Sequence, residues 1–108
     1  MLALTPVQTA ALERLVARGF TLAAFPLYAS AIGVRRNSFA ALLVPAAEAG
    51  LRVLGDPCYL IDGNFTVRVR RGELQWFVWK SKSAKATPDL LAELGRFSKE
   101  LLEVLAGP

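Results

Sequence analysis

The chain has 108 residues, a formal net charge of +4 and no histidine. That length gives room for one domain over residues 1–108, with a core burying roughly two thirds of the unfolded surface. Without histidine there is no Ser/His or Cys/His pair, and the commonest general base and metal ligand are missing. Hydrophobic residues make up 54% and charged residues 20%, rich in apolar side chains for a soluble monomer, so some of that surface is expected to meet another chain.

The first eight residues show neither a basic region nor a separate cleavable apolar core, so no signal peptide is expected. Thr5, Pro6 and Gln8 then match a capping box with proline at the first helical position. The helix should run to Ala17 or Arg18 and stop at Gly19, with Val7, Ala10, Ala11 and Leu15 on its apolar side, widened by Leu12 and Val16. The longest charge-free run, residues 19–34, holds sixteen residues and contains Pro26 and Gly33, short of the ~20 that span a bilayer. Within it, residues 23–33 suit either a strand or a short helix begun by Pro26. Phe20, Phe25 and Tyr28 here are candidates to line a pocket for a small apolar ligand.

Residues 33–38 contain Arg35, Arg36 and Ser38, which together offer an anion two guanidiniums and a hydroxyl; a solvated turn between strands is the preferred reading. Residues 38–44 read as a buried strand, and residues 45–50 as one helical turn or a loop. Two further strands follow at 51–54 and 58–61, with Gly55, Asp56 and Pro57 as the turn between them. Asp56 and Asp62 flank the second, and turn roles are preferred over paired acid–base or cation-binding work. Cys58 is the only cysteine, so no intrachain disulfide forms and a reducing cytoplasm is the expected location. A small buried side chain is its preferred role, ahead of a nucleophile.

Residues 64–79 fold on paper into one hairpin with Arg71 and Gly72 as its loop. Val69 then faces Leu74, Val67 faces Trp76 and Phe65 faces Val78, an all-apolar side expected to face the core. The other side is mixed, with Arg70 across from Glu73, Arg68 across from Gln75, and Thr66 across from Phe77. Asn64 and Trp79 lie at its far end. A one-residue change of turn register would exchange the partners, but each strand's alternation preserves the faces. The segment 64–86 carries Arg68, Arg70, Arg71, Lys80, Lys82 and Lys85 against Glu73 alone. Thr87, Pro88 and Asp89 start a second helix that reaches about Ala106, with the stripe Leu90, Leu94, Phe97, Leu101 and Leu105, widened by Leu91, Leu102 and Val104. Its acidic residues, Asp89, Glu93, Glu100 and Glu103, outnumber its basic ones, Arg96 and Lys99.

The expected fold is therefore α+β, a mostly antiparallel sheet of about five strands flanked by an N-terminal and a C-terminal helix. No catalytic, cofactor-binding or metal-binding set stands out. The leading expectation for function is a non-enzymatic interaction module, acting as a homodimer or with a protein partner and away from membranes. The candidate face is Arg68, Arg70, Phe77, Trp79, Lys80 and Lys82, with Phe77 and Trp79 as its anchors. The same residues, with Lys85, would serve nucleic-acid binding, cations meeting phosphates and aromatic planes stacking on bases.

Overall fold

The computed structural model describes residues 4–46 and 50–107. The first helix, α1, is Pro6–Ala17 and carries the full capping box. The Thr5 hydroxyl accepts from the Gln8 N–H at 3.2 Å, and the Gln8 side chain accepts from the Thr5 N–H at 3.0 Å. Arg18 caps the far end, and Gly19 takes a φ of 91° to turn the chain back. The buried face is Gln8, Ala11, Leu12 and Leu15, rotated from the expected stripe so that Val7 and Val16 lie exposed. Gln8 can be buried because its amide donates to the Gly50 carbonyl at 3.3 Å.

Four strands follow as an antiparallel meander: β1 (Thr21–Ala23), β2 (Ile32–Arg36), β3 (Phe39–Pro45) and β4 (Leu51–Tyr59). Between β1 and β2, Pro26–Tyr28 forms one 3₁₀ turn. Gly33 on β2 is required here, because a Cβ would lie 2.3 Å from the Ala23 carbonyl oxygen and 2.6 Å from the Phe25 ring. The two strands expected at 51–54 and 58–61 are one strand, β4. Its pairing with β3 steps from Ala40↔Cys58 to Leu42↔Leu54, which leaves Gly55, Asp56 and Pro57 as a bulge. Gly55 takes the positive φ of 67°. The loop or helical turn expected at 45–50 lies in part outside the described residues; Pro45 ends β3, and the Ala46 N–H donates to the Gly50 carbonyl.

A second antiparallel meander contains β5 (Val67–Arg71), β6 (Leu74–Trp79) and β7 (Lys82–Lys85). The fold is thus α+β as expected, but the described residues form seven strands in two sheets in place of about five in one. The split lies where β4 gives way to Asp62 and Gly63, a tight turn with φ of 51° and 77°. On the return the chain forms one isolated bridge, Ile61↔Asn64, and no further ladder. Thr66 instead donates its hydroxyl to the Tyr59 carbonyl at 2.7 Å and its N–H to the Cys58 Sγ at 3.4 Å. Side-chain bonds thus replace the backbone pairing that would have continued the sheet.

The closing helix α2 is Pro88–Leu105, capped by the Thr87 hydroxyl, which accepts from the Leu90 N–H. Its buried stripe is Leu94, Phe97, Leu101 and Val104, while Leu102 stays exposed. Both helices contribute to one core with Phe20, Val34, Phe39, Ala41, Leu43, Leu51, Phe77 and Ala86. A smaller cluster of Phe25, Ala40, Leu42, Cys58, Leu60 and Phe65 packs on the opposite face of the four-stranded sheet. None of the helices among the described residues is long and apolar enough to cross a membrane.

Candidate functional site

Three chemistries raised by the sequence are separated by the fold. Arg35 and Arg36 lie on opposite faces of β2. The first donates to the Asn37 carbonyl; the second pairs with Glu100 at 2.6 Å and lies over the Phe20 ring at 4.4 Å. Asn37 and Ser38 form the turn between β2 and β3, with Asn37 at a φ of 57°. The suggested pocket trio is divided in the same way: Phe20 packs on Phe97 in the helix-side core, and Phe25 and Tyr28 close on Phe65 on the other side. Cys58 is buried, and burial pushes its thiol up from an ordinary value of 9.0 against a smaller opposing pull from the Thr66 N–H. It is a packed, protonated side chain. No cluster of three or more metal-ligating side chains occurs among the described residues.

The second sheet is where the sequence placed its candidate residues. Arg71 pairs with Leu74, so the loop is Gly72 and Glu73, one position later than expected. Gly72 takes a φ of 64° at the first loop position, which lets Arg71 keep extended geometry. The partners change, but the composition of each face survives the shift.

The orientation of those faces is opposite to the expected one. Phe77 points inward and is 0% exposed, with its ring 5.8 Å from that of Tyr59. Its cross-strand neighbour on β7 is Ala84, and Ala86 beyond that strand is also buried in the core. Along β5 and β6 the expected core side instead faces out, whereas Phe65, which precedes β5, is buried as expected, against Phe25 and Tyr28. Val67 is 57% exposed and Leu74 45% exposed, while Val69, Trp76 and Val78 are half-buried. None of the five belongs to either core cluster.

Of the named candidates, then, Phe77 is inaccessible to any partner. Trp79 is half-buried beside Phe65, Tyr28 and Pro26, with the Lys80 ammonium 5.2 Å from its ring centre. Arg68 and Arg70 are exposed; Arg68 lies 3.9 Å from Asp56, and Arg70 donates to the Gly72 carbonyl. Lys82 forms an ion pair with Asp62. Of the two aspartates read as turn residues, Asp62 therefore also holds Lys82 and Asp56 lies near Arg68, and the α2 carboxylate Glu100 is paired with Arg36.

The outward face was missed as a surface because its residues are apolar. It has a definite chemical order. Val67, Val78 and Ser83 lie in one row, Val69, Trp76 and Lys85 in the next, and Arg71 with Leu74 at the turn end. Arg71 and Lys85 have no ion-pair partner among the described residues. The signal was present in β7, where Ala84 and Ala86 alternate with Ser83 and Lys85. Small apolar residues on one side make room for a buried ring, and lysine marks the wet side. Comparison with protein-family models, curated proteins and solved structures gave no match.

Proposed function

We infer that the protein is a non-enzymatic interaction module and that the outer face of the β5–β7 sheet is its contact surface. One observation carries the reading: five apolar side chains, Val67, Val69, Leu74, Trp76 and Val78, share a sheet face that joins neither core cluster among the described residues. Uncovered apolar faces of this kind mark contact sites. Trp76 sits at the centre of the face, the place and residue type that concentrate binding energy.

Charge argues for the kind of partner. Arg71 and Lys85 flank the apolar rows and have no ion-pair partner among the described residues. Two copies meeting by this face would bring like charges together, which costs affinity and on-rate. A different protein, apolar at the contact and bordered by carboxylates, fits. Nucleic-acid binding has less behind it, because Phe77 offers no stacking plane and one of the expected phosphate contacts, Lys82, is already paired with Asp62.

Site-specific photocross-linking tests the reading, with a photoreactive phenylalanine analogue at Trp76 and, as control, at Lys99 on α2. The expected result is a cross-link to an acidic protein from position 76 and none from position 99. A cross-link only to a second copy would overturn the choice of partner. No cross-link from position 76 would overturn the contact surface itself.

A further inference from the structure

A groove of about 260 Å³ lies between the β4 bulge and the start of β5. Tyr28, Leu42, Leu54, Phe65 and Val67 line it, and Leu54 is 39% exposed at its lip. The same lip carries Asp56 and Arg68, one carboxylate and one guanidinium 3.9 Å apart. That separation is longer than the ~2.7–2.9 Å of a charge-assisted hydrogen bond, and the Asp56 side chain is 79% exposed, so each group keeps bonding capacity to offer. The volume falls below the ~300–1,000 Å³ of sites for drug-sized ligands and suits a single side chain.

We propose that this groove seats one apolar side chain of an extended segment of the partner, with a backbone N–H of that segment on Asp56 and a carbonyl on Arg68. An extended peptide presents both groups, whereas a helix has already used its own. A fatty acid or a phosphate would serve Arg68 but set its negative charge against Asp56, whereas a peptide backbone serves both groups. Both walls are themselves extended backbone. Residues 55–57 stand outside the ladder with β3, and among the described residues β5 has a ladder neighbour only on its β6 side. The assignment rests on the interaction reading above, since the groove meets the outer sheet face at Val67, which belongs to both.

The test selects random peptides displayed on phage against the immobilised protein. The recovered peptides are then titrated by fluorescence anisotropy against wild type, Leu54→Arg, Val67→Arg and Trp76→Arg. Leu54 and Val67 are lip positions with exposed side chains, and circular dichroism matching wild type checks that each variant is folded. The expected result is a shared apolar residue in the recovered peptides and affinity lowered roughly ten- to hundredfold by Leu54→Arg, the loss of one buried side chain. Peptides that bind Leu54→Arg as well as wild type but lose affinity for Trp76→Arg would overturn the groove and leave the outer face standing. Recovery of no peptide would overturn the groove as a peptide seat, while the cross-link from position 76, which needs only a folded partner, decides the other reading independently.

Discussion

Replacing Phe77 by alanine and, separately, Trp76 by alanine tests which way the second sheet faces. The residues are adjacent on β6 and point to opposite sides. Phe77 is 0% exposed and packs its ring 5.8 Å from Tyr59, in the same core as Phe97 and Leu101. Removing such a ring costs about 3–5 kcal/mol in lost transfer and cavity energy. Trp76 belongs to neither core cluster, so its truncation loses only contacts with strand neighbours, about 1 kcal/mol or less. Urea unfolding reads both. With a slope of about 1.5 kcal/mol per molar, Phe77→Ala should lower the midpoint by roughly 2–3 M and Trp76→Ala by well under 1 M, at unchanged slope. The loss at Phe77 is a large part of the ~5–15 kcal/mol that holds a domain together, so Phe77→Leu provides a milder second point. Equal losses at the two positions, or a larger one at Trp76, would refute the orientation and with it the outer face.

Three further perturbations probe the rest of the structure. Gly33→Ala places a methyl 2.3 Å from the Ala23 carbonyl oxygen and against the Phe25 ring, and should destabilise by about 1–3 kcal/mol or more by overpacking, read as a lowered thermal midpoint. A double-mutant cycle on Arg36 and Glu100, paired at 2.6 Å with both side chains partly exposed, should give a coupling of about 1 kcal/mol or less that shrinks with added salt; a coupling unchanged by salt would contradict it. Cys58 tests the linkage of burial to pH. Its thiol titrates higher in the fold than its ordinary 9.0, so the stabilisation from burying the neutral form is complete below that value and is lost as pH rises through the folded value. The stability gap between wild type and Cys58→Ala should therefore narrow above pH 9.0, and a constant gap would show that the thiol does not ionise differently in the two states.

What was legible in the sequence is what is decided locally. Thr5, Gln8 and Thr87 mark helix starts because a cap is a contact between residues three apart. The two faces of the β5–β6 hairpin are likewise readable, because alternation along a strand needs no partner. Inside and outside are not local. Counting apolar residues favours the face of Val67, Val69 and Trp76, yet the core accepts the face of Phe77, where Ala84 and Ala86 leave space for the ring. The bulge at Gly55, Asp56 and Pro57 has the composition of a turn. It is part of a strand only because Ala40 and Leu42 on β3 keep pairing on either side of it. The strands β1, β2 and β7 escaped notice for a related reason: three residues, five that hold Gly33 and end in two arginines with the composition of a turn, or four with lysine at both ends, show too little alternation until a neighbouring strand holds them.

The orientation of the second sheet separates two demands that usually compete. On β6, fold stability draws on Phe77, while the exposed apolar surface is supplied by Leu74, Trp76 and Val78, the positions of opposite parity. The junction to the first sheet has its own attachments, the Thr66 bonds to Tyr59 and Cys58 and the ion pair of Lys82 with Asp62, and none of these uses an outward-facing apolar side chain. The outward residues are therefore nearly free of structural duty. An apolar side chain in that position gains less from folding than one in the core and adds a liability to aggregation. Threonine or lysine at Val69, Trp76 and Val78 would leave the core untouched. That β6 places tryptophan between leucine and valine on this side, with Arg71 and Lys85 as the flanking charges, is not required by the core and is the feature on which the proposed contact surface rests.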